Sequence, residues 1–444
     1  MPSSRPRSRR VGPAGRLVAT LLAVLLPMTA GAACRASVEK EPVRISWWVT
    51  DYLWLELWKR VAADFMAQRP DIVLEIVDVT VEWNGNPVRS FESAVAGFVS
   101  REDYRPDLFE QWGGADLVEE VRRGLVRDIT DQVQPQLGEL GAFATPWQVG
   151  GRTYGLPYRL YLHGIWYDKN LFAQAGLTAP PTLDAFVETA RTLRHAGITP
   201  MVVAGASSWE LARFWLLFVL ANCPRAAVVG SVEELSFDHP CLRAAGDDLA
   251  AFLATDPFPA DVLTMQRDDA AAAFTSGGAA MWWGSQWEWQ LIKEAGVDLD
   301  RFGWFPLLGP DAVGLGGGNG FACHAQAPPE CAEVLAYLLS PEVQALVAEQ
   351  EAGLPVRPSS HDPVDPTGEP TRAAQQRMSY LLMEPASAYG WEMQEVLNTA
   401  VRAVVTGTGT PQGIVDALRS GAEEIRQHCD DAPGADCRHD VRLN

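Results

Sequence analysis

The chain has 444 residues, 47% hydrophobic and 21% charged. This is the mixture of a folded rather than a disordered protein, and it is long enough for two domains or one large two-lobed unit. Acidic residues outnumber basic ones 56 to 36, and the first 33 residues hold five of the arginines and no acid, so the formal charge of −20 becomes −25 without them. A surface that negative excludes recognition of DNA, RNA or anionic lipid head groups by bulk electrostatics, and it suits a neutral ligand.

The N-terminus is arginine-rich, then apolar from Leu17 to Met28, then small up to Ala33, which is the pattern of a cleaved export signal over residues 1–33. An apolar run of about a dozen residues is too short for a bilayer-spanning helix, which needs roughly 20. Gly31-Ala32-Ala33 before Cys34 is similar to a bacterial lipoprotein processing site, which would make Cys34 the lipidated N-terminus and residues 34–41 a tether. Gly31 stands where leucine is usual, so ordinary cleavage after Ala30-Gly31-Ala32, giving a free secreted protein, is the alternative. Ser8-Arg9-Arg10 hints at twin-arginine export, but Val11-Gly12-Pro13 lacks the apolar residues that should follow. The other cysteines form three local couples, Cys223 with Cys241, Cys323 with Cys331 and Cys429 with Cys437, and an oxidising compartment makes each couple a candidate disulfide among other connectivities. Their spacing is not that of a zinc site, and no metal or cofactor is expected.

In chain order, VRISWWV (Val43 to Val49) predicts a first strand, Leu53 to Phe65 a helix and Ile72 to Val79 a second strand. A short strand at Pro106 to Phe109 leads to a helix from Asp116 to Arg123 that Gly124 stops. Such βαβ rhythm predicts a mostly parallel sheet. Val149 to Tyr158 suggests a hairpin, and the apolar run Leu160 to Tyr167 a further strand. Helices dominate from Lys169 to Ala221 around a strand at Met201 to Val203, and strands are predicted at Ala279 to Trp283 and Phe302 to Leu307. From Pro328 the pattern is chiefly helical, with a loop at Pro358 to Pro370. Two α/β lobes fit this order better than a barrel.

Five segments carry a resemblance, in order: PDLFEQWGGADLVEEVRRGLVRDIT (Pro106 to Thr130), GRTYGLPY (Gly151 to Tyr158), WYDKNLFAQAGLTAPPTLDAFVETARTLRHAGITP (Trp166 to Pro200), AAFTSGGAAMWWGSQWEW (Ala272 to Trp289) and LLSPEVQALVAEQEAGLPV (Leu338 to Val356). Together they resemble the extracellular solute-binding proteins of bacterial ATP-binding-cassette importers, in the carbohydrate branch typified by maltose-binding protein. Asp168 stands for the usual asparagine and Leu183 for the usual tryptophan. The resemblance implies a two-lobed α/β periplasmic-binding-protein fold with a hinge and an interlobe ligand cleft. Its expected division is residues 42–160 plus 308–356 for one lobe, 161–307 plus 357–428 for the other, and a tail over 429–444. It also implies a monomer that docks on membrane permease subunits, with the lipid anchor as its sole membrane contact.

Sixteen tryptophans against nine tyrosines point to stacking on sugar rings, whose C–H faces meet aromatic planes while their hydroxyls meet polar side chains. Trp287, after the Ala279 to Gly284 strand, is the first choice because the resembling family has a stacking tryptophan there; Trp282 and Trp283 are expected in the core. Asp51 follows the first strand and Gln111 and Trp112 the third, at the carboxyl ends where open α/β sheets place ligands. Tyr161 lies at the lobe crossing, Trp209 and Glu210 begin a helix of the second lobe, and Trp391 aligns with an aromatic of the family's C-terminal cleft segment. GLGGGNG (Gly314 to Gly320) lacks the lysine and register of a nucleotide loop; by the resemblance it lies against the ligand, with Gly318 allowing close approach and Asn319 adding a hydrogen bond. An aromatic cleft with carboxylates such as Glu210 and Glu288 would also suit an exported hydrolase or lyase, but no catalytic motif accompanies them and no catalytic residue is assigned. A surface scaffold or signalling receptor of the same fold is a third possibility.

Overall fold

The structure is a computed structural model that describes residues 41–50, 54–79, 105–207, 209–309, 311–349, 354–356 and 366–431. The export segment, Cys34, Asp51 and Cys437 lie outside the described residues. The strands are, in chain order, β1 (Val43–Val49), β2 (Ile72–Asp78), β3 (Leu108–Gln111), β4 (Gln148–Val149), β5 (Arg152–Thr153), β6 (Gly155–Leu162), β7 (Gly164–Asp168), β8 (Met201–Val202), β9 (Met281–Gly284), β10 (Phe302–Phe305), β11 (Val313–Cys323), β12 (Leu354–Pro355) and β13 (Tyr380–Met383).

Two sheets carry the architecture. The larger has seven strands in the order β12-β6-β11-β3-β1-β2, with β13 parallel to β11. The smaller has the order β10-β7-β9-β8, and β4 with β5 forms a separate hairpin. Strands β1 and β2 run parallel, from Val43 opposite Ile72 to Val49 opposite Asp78, joined by the helix Leu55–Gln68 as the βαβ pattern predicts. That helix buries Leu57, Trp58, Val61, Ala62 and Phe65 at helical spacing. Trp58 then packs against Trp47, Tyr158 and Phe321 with ring centroids 4.7 to 5.5 Å apart.

The predicted strand Leu160 to Tyr167 is two strands, split at His163, with β6 in the larger sheet and β7 in the smaller. The apolar run is continuous because both strands are buried, yet its hydrogen bonds change partner: His163 N–H donates to Leu315 of β11, and Gly164 pairs with Gly284 of β9. At Gly164 a Cβ would come within 2.5 Å of the Phe305 carbonyl oxygen and 2.6 Å of the Trp304 ring, so a glycine makes the crossing. The glycine-rich run after Val313 is not a loop but β11, which pairs with β3, β6 and β13.

The helix Glu210–Asn222 is apolar around most of its circumference and is buried accordingly, with Phe214, Trp215 and Phe218 almost wholly enclosed. Two disulfides match the predicted couples: Cys223–Cys241 ties the end of this helix to the start of the helix Cys241–Leu253, and Cys323–Cys331 ties β11 to the helix Cys331–Leu338. Cys429 is also disulfide-bonded. Among the described residues no single helix is long and apolar enough to cross a membrane.

The Cys223–Cys241 bridge closes a loop of 18 residues. Loop-closure entropy of that size stabilises the fold by about 3 kcal/mol. Replacing both cysteines with serine should lower the urea midpoint accordingly; an unchanged midpoint would show that the helix packing suffices without the bridge.

Candidate functional site

A cavity of about 280 Å³ opens between the two sheets. From the larger sheet come Trp112 just after β3, Tyr161 of β6, Asn319 of β11, and Glu384 and Ser387 after β13. His163 lines it at the crossing between the sheets. The other wall is built by Ser207, by Trp209, Glu210 and Arg213 at the start of the helix Glu210–Asn222, by Arg267, and by Gly284, Ser285, Trp287 and Glu288 after β9. Most of these residues follow the carboxyl ends of strands, where loops can vary without breaking a ladder.

Charge in the wall is paired. The Arg213 guanidinium donates to Glu384 and lies 3.7 Å from Glu210, while His163 Nε2 is 3.1 Å from the other Glu384 oxygen. Burial alone would push the Glu384 carboxyl up, but Arg213, His163 and the Tyr161 hydroxyl outweigh it and hold it at about 2. Burial, with Glu384 beside it, pushes the Tyr161 phenol well above its ordinary range. Burial likewise raises the Glu210 carboxyl, against the pull of Arg213. Glu288 accepts from Arg267 at 2.9 Å, from the Ser285 N–H at 2.5 Å and from the Ser285 hydroxyl at 3.2 Å.

Three tryptophans contribute rings that are not fully covered: Trp112 and Trp287 are half-buried, and Trp209 is 38% exposed. The Tyr161 ring meets Trp287 edge-on at 6.2 Å. Trp282 and Trp283 are buried, 1% and 2% exposed. Most of the 16 tryptophans are structural, since Trp47, Trp48, Trp54, Trp58, Trp147, Trp166, Trp215, Trp282, Trp283, Trp289 and Trp304 are all buried.

The cavity therefore brings together Trp112, Tyr161, Trp209, Glu210, Trp287 and Asn319 from the sequence expectations. Gln111 is buried beside it and occupied elsewhere, donating to Glu120 at 2.7 Å and accepting from the backbone N–H groups of Trp112 and Gly113. Gly318 is not in the lining; a Cβ there would meet the Arg159 carbonyl oxygen at 2.9 Å, so its lack of a side chain serves strand packing. Asp51 is outside the described residues, and for Trp391 only the backbone, at the start of the helix Trp391–Val405, is described. Sequence reasoning missed His163, Arg213, Arg267, Glu384 and the serines. One signal was available: Ser285-Gln286-Trp287-Glu288 has the serine-to-glutamate spacing of a helix N-terminal box, which would have placed Glu288 over the Ser285 N–H.

Residues 53–345 match the bacterial extracellular solute-binding protein family, and the chain belongs to it. The multiple sugar-binding protein of Streptococcus mutans is 24% identical over 245 residues, 53% of this chain and 55% of that protein. The melibiose/raffinose/stachyose-binding protein MelE of Bacillus subtilis is 22% identical over 204 residues, 45% of each chain. The chain thus spans about half the length of the curated relatives it matches. RafE from Streptococcus pneumoniae in its apo form superposes with a TM-score of 0.69 at 20% identity, covering 85% of this chain and 97% of that one. The fold is the two-lobed α/β architecture of periplasmic sugar-binding proteins, and membership of an extracellular family makes this an exported protein.

Glu384 supplies a test of the wall's electrostatics. Its carboxyl is lower in the folded state than its ordinary 4.5, so its stabilisation is complete above that value and is lost as pH falls toward about 2. Glu384→Gln takes from the buried Arg213 its closer carboxylate, leaving Glu210 at 3.7 Å, and should cost about 3 kcal/mol at neutral pH. It should also flatten the acid limb of the stability profile, measured by urea unfolding from pH 7 to 2. An acid limb identical to that of the parent would show that Glu384 is not held by its partners.

Proposed function

We propose that this chain is the receptor of an ABC sugar importer, capturing a neutral mono- or oligosaccharide between its lobes and delivering it to the membrane permease. The observation that carries this reading is the joint presence, around one cavity, of the partly exposed Trp112, Trp209 and Trp287 rings and of buried charged groups already engaged with each other. Aromatic faces suit the C–H face of a pyranose, contributing about 1 to 2 kcal/mol for each face covered. Carboxylates and guanidinium groups held in ion pairs keep spare lone pairs and N–H groups for hydroxyls, through charge-assisted hydrogen bonds. An acidic sugar would meet guanidinium groups that Glu384, Glu210 and Glu288 already occupy. The sugars in the names of MelE and the multiple sugar-binding protein support the same class.

In this reading one lobe comprises residues 42–160 plus 308–356 and the other 161–307 plus 357–428; the sheet crossing at His163 falls just past the first boundary, and β13 of the second set pairs with β11 of the first. Cys34 carries the lipid that tethers the receptor. The family is one of solute-binding proteins, which supports a receptor over a hydrolase for the same carboxylates.

Calorimetric titration with raffinose, melibiose, maltose and galacturonic acid tests the reading. At least one neutral sugar should bind in the micromolar range and be recovered unchanged, and galacturonic acid should not bind. Trp287→Ala should weaken the bound sugar by about tenfold or more while leaving the melting temperature nearly unchanged. No binding of any neutral sugar, or unchanged affinity beside a large fall in melting temperature, would overturn the assignment. For the tether, Cys34→Ala should release the protein into the medium; retention on the membrane would show that another segment anchors it.

A further inference from the structure

We propose that Arg159 is a positioning residue, whose guanidinium fixes the indole plane of Trp287 at the cavity wall by lying at once over Trp287 and over Trp54. Arg159 sits on β6 and is 1% exposed, one of the largest fully buried side chains. A buried cation needs compensating partners. Its Nε donates to Asn319 Oδ1 at 3.1 Å, directly across the β6–β11 ladder. Its guanidinium carbon lies 4.5 Å from the centroid of the Trp54 ring and 4.2 Å from that of Trp287.

The two rings are anchored differently. Trp54 is 1% exposed, stacks on Trp58 at 5.8 Å and packs against Tyr158 at 5.2 Å, so the core beneath the larger sheet holds it. Trp287 is half-buried at the start of the helix Glu288–Glu294, and the Tyr161 ring meets it edge-on at 6.2 Å. The plane of Trp287 is thus set from the larger sheet, through Arg159, although its backbone follows β9 of the smaller one. A guanidinium serves here because it is planar and lies flat on indole faces; an ammonium is a compact, strongly hydrated charge and does not replace it. The positioning of Trp287 follows from this contact whatever the ligand. Its consequence for affinity rests on the carbohydrate reading above.

The full chain labelled with 5-fluorotryptophan separates the two. The Trp287 fluorine resonance is assigned by its loss in Trp287→Phe. Arg159→Lys keeps the charge without the plane and Arg159→Met keeps the length without the charge; melting curves show which variants are folded. In a folded variant the Trp287 resonance should move and show a larger shift between H2O and D2O, while the Trp54 resonance stays insensitive to solvent. With raffinose as probe, Arg159→Lys should weaken binding about tenfold in the parent and less than about twofold in Trp287→Ala. An unmoved Trp287 resonance in a folded variant, or the same loss of affinity in both backgrounds, would overturn the proposal. If the parent does not bind raffinose, that sugar is excluded as ligand and the fluorine resonances alone decide the role of Arg159.

Discussion

The close approach of β6 and β11 is the constraint on which the rest of the molecule hangs. A Cβ at Gly316 would lie 2.2 Å from the Tyr161 carbonyl oxygen, one at Gly317 2.4 Å from the Tyr161 hydroxyl, and one at Gly320 2.5 Å from the Trp147 ring. Gly316, Gly317 and Gly320 carry no side chain because the backbone and aromatic rings of neighbouring segments fill that space. The benefit is positional: β11 pairs with β3, β6 and β13, and the segments leaving those strands carry Trp112, Tyr161 and Glu384 into one cavity. Close packing of this kind transmits small displacements, since interiors have few voids to absorb them.

The cavity wall is polar without being open in its charge. Glu384 is shared by Arg213, His163 and Tyr161, and Glu288 by Arg267 and Ser285, so groups costly to bury alone are buried in mutual contact. Such a wall is organised before a ligand arrives, which reduces the ordering that binding must impose. The aromatic rings add area but little geometry of their own, and the cation over Trp287 gives that ring a defined plane.

The chain's passage from one sheet to the other joins these two features. Tyr161 belongs to β6, His163 is the crossing residue, and Gly164 starts β7 against Gly284, two positions before Gln286 accepts from the Leu162 N–H at 3.0 Å. Gln286 also donates to Thr371 at 2.6 Å, so the crossing is held from both sides by side chains as well as by backbone. The chain passes between the same two sheets again from β10 to β11, and the crossing at His163 is the one that places its own crossing residue in the cavity lining.

Local pattern alone pointed to the βαβ start at Val43 to Asp78 and the apolar helix beginning at Glu210, and it favoured, among other connectivities, the disulfide couples of Cys223 and Cys323. Each is written in residues close together in the chain: a period, a cap, a short cysteine spacing. The same locality misled at Leu160 to Tyr167, where one apolar run feeds two sheets, and it did not reveal that Gly314 to Gly320 form a core strand. It overstated the tryptophans as well, because burial in a core and stacking on a sugar use the same side chain. Tertiary structure alone decided the electrostatics of the site. Arg213 and Glu384 are 171 residues apart, Arg159 and Asn319 160, and His163 and Glu384 221. No local periodicity relates such residues; they meet because sheet order brings β6, β11 and the end of β13 together and the helix Glu210–Asn222 sets Arg213 against them, where burial strengthens each pairing.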